Sequence, residues 1–95
     1  MTLKYNPSAF KHKLTQAEIE VVLQSDLTEQ FDEDWDENGR FCIMFVGFNA
    51  NADLREVKVA FEVDPITDEI TDAGEVVHAD VVTPKYEQKW QEAKN

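Results

Sequence analysis

Two histidines, one cysteine and twenty carboxylates are the groups in this chain with chemistry to offer. His78 and Asp80 lie in Glu75-Val76-Val77-His78-Ala79-Asp80-Val81-Val82, a stretch that reads as a strand, so they share one face. A carboxylate beside an imidazole can orient it as a general base. An ordinary surface pair on an edge strand has the same spacing and is the plainer reading. His12 is the only other histidine and there is no C-x-x-C, so a zinc site lacks ligands. Asp64-Pro65-Ile66-Thr67-Asp68-Glu69-Ile70-Thr71-Asp72 resembles a calcium loop in composition. It lacks the D-x-D-x-D-G run and the closing bidentate glutamate, which leaves a solvated loop. Adjacent carboxylates between Asp32 and Glu37 would point to opposite faces of a strand and gather no cation. Cys42 sits in the most apolar segment and reads as a small buried hydrophobe. No serine elbow, glycine-rich phosphate loop or activated cysteine is present, so the residues imply no cofactor and no metal.

The elements that must position these groups are organised around Arg40 to Val63. Phe41-Cys42-Ile43-Met44-Phe45-Val46 is apolar at consecutive positions, which predicts a strand buried on both faces. The following segment alternates, with Val57, Val59, Phe61 and Val63 on one side and Glu56, Lys58 and Glu62 on the other. Asn49-Ala50-Asn51-Ala52-Asp53 supplies the hairpin turn between them. Leu54 falls out of phase with Val57, hinting at a bulge or a late start. Gly47 suggests a bulge or a close backbone approach.

Thr28–Trp35 predicts an edge strand, joined by the turn Glu37-Asn38-Gly39 to the central one and guarded by carboxylates. Asn6-Pro7 opens a first short helix anchored by Phe10. Thr15-Gln16-Ala17-Glu18 matches a capping box for a helix carrying Ile19, Val22, Leu23 and Leu27 and ending near Gln24-Ser25. Thr67 to Gly74 reads as a loop, Glu75–Val82 as a fourth strand, and Pro84 starts a last helix with Tyr86 and Trp90 on one face. The expectation is one α+β domain over residues 1–95. Its N-terminal helices and C-terminal helix cover one face of a four-stranded antiparallel meander. Ile43, Phe45, Val59, Phe61, Val77 and Trp90 should be mostly buried.

The net charge of −11 is unevenly placed. Residues 1–13 hold three lysines and no acid, residues 14–39 nine acids and no lysine or arginine, and residues 40–95 eleven acids against six bases. Such a domain repels phosphate backbones and anionic membranes, so neither nucleic acid nor a membrane is an expected partner. A basic protein is. An edge strand beside an acidic face is also compatible with a homodimer. The single cysteine permits no internal disulfide, and no apolar run has signal-peptide or membrane-spanning length. These features point to a soluble, cytoplasmic protein.

Taken in order, several weak motifs resemble a known pattern. His12 precedes the capped helix Thr15-x-x-Glu18-Ile19-Glu20-x-Val22-Leu23. Then come Gly39-Arg40, Val46-Gly47-Phe48, Leu54-x-Glu56-Val57, His78-Ala79 and Pro84-Lys85-Tyr86. Over about residues 10–90 this order looks like the BrnT-type small toxin family, within the RelE-like ribonuclease toxin fold. The resemblance implies RNA cleavage by attack of a ribose 2′-hydroxyl on its phosphate, with His12, Arg40, Arg55, His78, Lys85 and Tyr86 as the catalytic candidates. Family patterns are rich in arginine around the first histidine and after the sheet, whereas this chain has only Arg40 and Arg55. The expected function is therefore protein–protein interaction or regulation on a toxin-like fold. Asp32, Glu33, Asp34, Asp36 and Glu37 are the candidate partner-binding residues. A ribonuclease toxin is the alternative, and an acidic mimic of nucleic acid a further one.

Overall fold

The computed structural model describes all 95 residues and places the expected hairpin at its centre. Strands β3 (Phe41–Phe48) and β4 (Leu54–Val63) pair antiparallel from Phe41↔Phe61 to Phe48↔Leu54 without a slip. Asn49 closes their turn, its Oδ1 accepting the amides of Asn51 and Asp53 at 2.9 Å. The left-handed residue there is Ala52, at φ 63°, rather than an asparagine. The predicted edge strand is β2 (Glu29–Trp35), antiparallel to β3 and followed by a turn in which Gly39 adopts φ 77°.

The class is α+β, but the sheet has five strands and is mixed, not four and antiparallel. The additional strand, β1 (Thr2–Tyr5), runs parallel to β5 (Ile70–Val81) from Thr2↔Ala73 to Tyr5↔Val76, giving the order β1-β5-β4-β3-β2. Four residues alternating Thr-Leu-Lys-Tyr carry too little local signal for a strand. The edge of β5, remote in sequence, supplies the pairing. That strand also starts earlier than expected. Residues 70–74 belong to it rather than to a loop, because β4 extends far enough to pair with them, down to Val63↔Ile70.

The first helix is a 3₁₀ turn (Pro7–Phe10) capped by Asn6, whose side chain accepts the Ser8 amide at 3.0 Å. Ala9, not Phe10, is its buried residue; Phe10 is 37% exposed and stacks on Tyr5. Helix α1 (Gln16–Gln24) has the predicted cap, with Thr15 Oγ1 accepting the Glu18 amide at 3.1 Å. The reciprocal half of the capping box is absent, because the Glu18 carboxylate is drawn to Asn49 and Arg55 instead. Ile19 and Val22 are buried and Leu27 is exposed.

The helices cover both faces of the sheet, not one. Helix α1 packs Ile19 and Val22 on Phe45, Val57, Val59, Phe61, Val76 and Ala79. Helix α2 (Pro84–Lys94) packs Tyr86 and Trp90 on Met44, Val46, Phe31 and Leu54 on the reverse side. A strand apolar at every position requires cover on both sides, and β3 receives it. Leu54 is thus in phase with the second core, and no bulge forms there. Pairing slips occur between β4 and β5, at Lys58/Val59 and Phe61/Val63, and between β2 and β3, at Asp32/Trp35. The first of these slips puts Val76 rather than Val77 opposite Val59, so Val76 is fully buried and Val77 only partly. Ile43 and Trp90 are also half-buried, whereas Phe45, Val59 and Phe61 are buried as expected. Gly47 does mark a close approach: a Cβ there would collide with Thr28, whose hydroxyl donates to the Val22 carbonyl and ties α1 to β2. No helix is long and apolar enough to cross a membrane.

Candidate functional site

His12, His78 and Tyr86 come from three separate segments and are gathered near one stretch of β4 and β5. The register sets Lys58 opposite His78 and Glu56 opposite Asp80. Glu56 is the pivot. Its side chain is only 4% exposed, and each oxygen has a partner. Oε2 lies 3.0 Å from His78 Nε2, and Oε1 accepts the Thr83 amide at 2.7 Å, at the start of α2. A carboxylate can only accept, so an ionised Glu56 places the proton on His78 Nε2 and leaves Nδ1 free. His78 is therefore oriented by Glu56 across the sheet, not by Asp80 along its own strand. Asp80 turns to His12 instead, 3.5 Å from Nδ1. The two imidazole rings meet edge to face with centroids 5.6 Å apart. Two tethered imidazoles, each with one nitrogen unclaimed, are a plausible geometry for proton transfer.

Tyr86 enters from α2. Its hydroxyl is pushed well above the ordinary phenol range, by burial first, then by the hydrogen bond and charge of Glu33, with Glu56 adding to the field. The phenol stays protonated at neutral pH and can only donate or accept hydrogen bonds. Glu33 also holds Lys58 at 3.6 Å. Lys85 lies over the Tyr86 ring, 5.1 Å from its centroid.

The two arginines are elsewhere. Arg40 binds Asp36 through Nε and Glu75 through Nη1, both at 2.8 Å, three residues along β5 from His78. Arg55 is on the α1 side, 2.9 Å from Glu18 and 3.8 Å from Asp53. Each guanidinium is held between carboxylates and neither reaches the histidines. The candidate partner-binding acids divide as well. Glu33 and Asp36 are engaged inside the molecule, while Asp32, Asp34 and Glu37 are exposed. Trp35 stands beside them 52% exposed, its ring 5.2 Å from that of Phe41. Glu56 is a site residue that the sequence reading passed over. Its alternation with Val57 placed it on an outer face, and only the α2 cover on that face buries it.

Three carboxyls in the ion-pair clusters are held below their ordinary values. For Glu18 the hydrogen bond from Asn49 leads, with Arg55 adding to it against burial. At Asp36 burial opposes the shift, and the hydrogen bonds of Arg40 and Asn38 overcome it. For Glu75 the Arg40 hydrogen bond leads, with burial opposing and Asn6 assisting. A carboxyl with a lowered folded-state pKa adds stability that is complete above its unfolded value and is lost as pH falls through the folded value. The ordinary values are 4.5 for the glutamates and 3.8 for the aspartate. The urea midpoint should hold steady from about pH 7 to about pH 5 and fall below that. Arg40→Gln should flatten the fall, since both Asp36 and Glu75 then lose their partner. An equally steep acid limb in the variant would show that these pairs are not its source.

Cys42 has its thiol pushed up by burial first and by Asp36 next, consistent with an inert packed residue. No known protein-family model matches the chain, and no curated protein matches it.

Proposed function

We propose that the chain is a divergent relative of the BrnT-type small toxins that holds a basic partner protein rather than cleaving RNA. One observation carries this reading: the outer edge of β2 is unpaired and presents Asp32, Asp34 and the exposed ring of Trp35 together. An aromatic ring among carboxylates suits a segment in which lysine or arginine alternates with apolar residues, the ring supplying contact area and the charges register. Both arginines that the resemblance assigns to catalysis are neutralised by internal carboxylates. His78 and His12 each stand against a carboxylate, Glu56 and Asp80 respectively, which would repel a phosphodiester.

The test is a fluorescence-anisotropy titration with a synthetic peptide alternating arginine and valine, at low and at physiological salt. The combined variant Asp32→Asn/Asp34→Asn/Trp35→Ala should bind at least about tenfold more weakly while keeping its fold, equivalent to about 1.4 kcal/mol. Equal affinity in the variant would sink the reading.

A second reading, the ribonuclease toxin, is favoured by the convergence of His12 and His78. Its mark is cleavage of labelled RNA by the folded protein that disappears in His12→Ala/His78→Ala.

A further inference from the structure

The face of the sheet that α1 covers is closed over only part of its length. Ile19 and Val22 of α1 seat on Phe45, Val57 and Val59, and Glu18 ties the helix to the Asn49 turn. The strands run on past that cover, to the end that carries the Gly39 turn and the turn between β4 and β5. There the register sets Trp35 opposite Phe41, Phe41 opposite Phe61, and Val63 opposite Ile70. Val63 follows Phe61 by two residues, so it shares the α1 face. Phe61 is buried, but Phe41 and Val63 are half-buried, Ile70 is 45% exposed and Trp35 is open as well. Trp35, Phe41, Val63 and Ile70 take part in neither packed core. Ile66, in the turn after Val63, is 91% exposed. An apolar strip thus crosses the sheet from β2 to β5 where neither helix seals it.

The side-chain charges around the strip that remain unpaired are of one sign. Asp32, Glu37, Asp64, Asp68 and Asp72 border it and form no ion pair. Between Val59 and Pro84 the chain has no lysine or arginine. Arg40, at this end, is closed by Asp36 and Glu75, and Lys58 is held by Glu33. Lys4 is in register with Glu75, which is opposite Ala60 on the reverse face. The Met1 amine, at the β1 side, is a single cation against these five carboxylates. We propose that the strip seats an amphipathic basic helix of a partner protein. Its apolar side would lie on Trp35, Phe41, Val63 and Ile70, and its lysines or arginines would reach the surrounding carboxylates. The inference rests on the basic partner proposed above and extends its contact from the β2 edge onto the face of the sheet. A helix is the form the surface calls for. The main chains of β3 and β4 are paired within the sheet, so a segment lying on them must satisfy its own backbone hydrogen bonds. From β2 to β5 is three strand spacings, about 14 Å, which about ten helical residues span. A second copy fits poorly, because two such strips face to face would bring their carboxylates together.

The experiment is an NMR titration with a synthetic helical peptide of about fourteen residues, leucine on one side and lysine on the other, at about 0.15 M salt. A second peptide carries glutamate in place of lysine. The lysine helix should bind and shift the amide resonances of Phe41, Val63 and Ile70. Ile70→Ser should weaken it at least about tenfold. That position is exposed and outside both cores, so the fold persists. Asp68→Asn/Asp72→Asn should reduce the salt dependence of binding. The arginine–valine peptide should bind Ile70→Ser as it binds the parent chain, so failure of the β2 edge and failure of the face are read separately. Equal affinity of the lysine helix for Ile70→Ser and the parent chain overturns the face as its seat. Equal binding of the glutamate helix overturns the charge assignment. A dimer in sedimentation equilibrium that Ile70→Ser dissolves would give the strip to a second copy and overturn a foreign partner.

Discussion

Replacing Phe61 with alanine lowers the unfolding free energy by about 3–5 kcal/mol, the range for emptying an aromatic site in a packed core. Phe61 is 5% exposed, lies 6.3 Å from the Phe45 ring and belongs to the cluster that α1 covers. The ring cannot be replaced by collapse from behind, since Gly74 is opposite it in β5 and offers no side chain. A Cβ added at Gly74 would come within 3.0 Å of the Phe61 ring and 2.8 Å of Val59, so the glycine is itself fitted to the aromatic. Urea unfolding of Phe61→Ala measures the loss. A change under about 1 kcal/mol would mean that the α1-side core does not hold the sheet together.

Glu56→Ala is the second large effect, about 2–3 kcal/mol, and it acts on the other face. Truncation leaves the Thr83 amide without an acceptor at the start of α2 and releases His78. Glu56→Gln keeps an acceptor for the amide and a volume close to the original, so it should cost less than half as much. The pair separates two roles for the carboxylate. Equal losses in both variants would assign the stability to its charge and to the contact with His78. A loss confined to alanine would assign it to the hydrogen bond that seats α2. The His78 ring resonance, followed by NMR at one fixed pH, should move in both variants, because each removes the carboxylate beside Nε2. An unchanged resonance in Glu56→Gln would show that the His78–Glu56 contact does not form in solution.

The central hairpin was legible because its signals are local. Consecutive apolar residues from Phe41 to Val46, alternation from Val57 to Val63 and a turn rich in asparagine all act within a few residues. The same holds for the caps at Asn6 and Thr15, for the Glu37-Asn38-Gly39 turn, and for the helix after Pro84. What lay outside local reach was decided by distant chain. β1 exists because β5 offers it an edge some seventy residues later, and Thr2–Tyr5 gives no such sign by itself. Likewise Val76 replaces Val77 in the core because of a pairing slip against β4, which no alternation within β5 can reveal.

The candidate site divides along the same line. Spacing beside Asp80 nominated His78 as a base, and the resemblance to the toxin pattern nominated His12 and Tyr86. Which carboxylate belongs to which imidazole was a question of register. Spacing along β5 coupled His78 to Asp80, whereas the antiparallel neighbour brings Glu56 to His78 and leaves Asp80 to His12. Arg40 and Arg55 looked alike in the sequence, as the two strong cations of an acidic chain. The fold separates them onto opposite faces and closes each with carboxylates. Charge and hydrophobic period, which depend on composition and near neighbours, were therefore determined by the sequence itself: an acidic α+β domain around one hairpin. The pairing of charges, the cover on the second face and the choice of β1 and β2 as the two edges were decided only by tertiary structure, because each depends on residues that meet after long loops close.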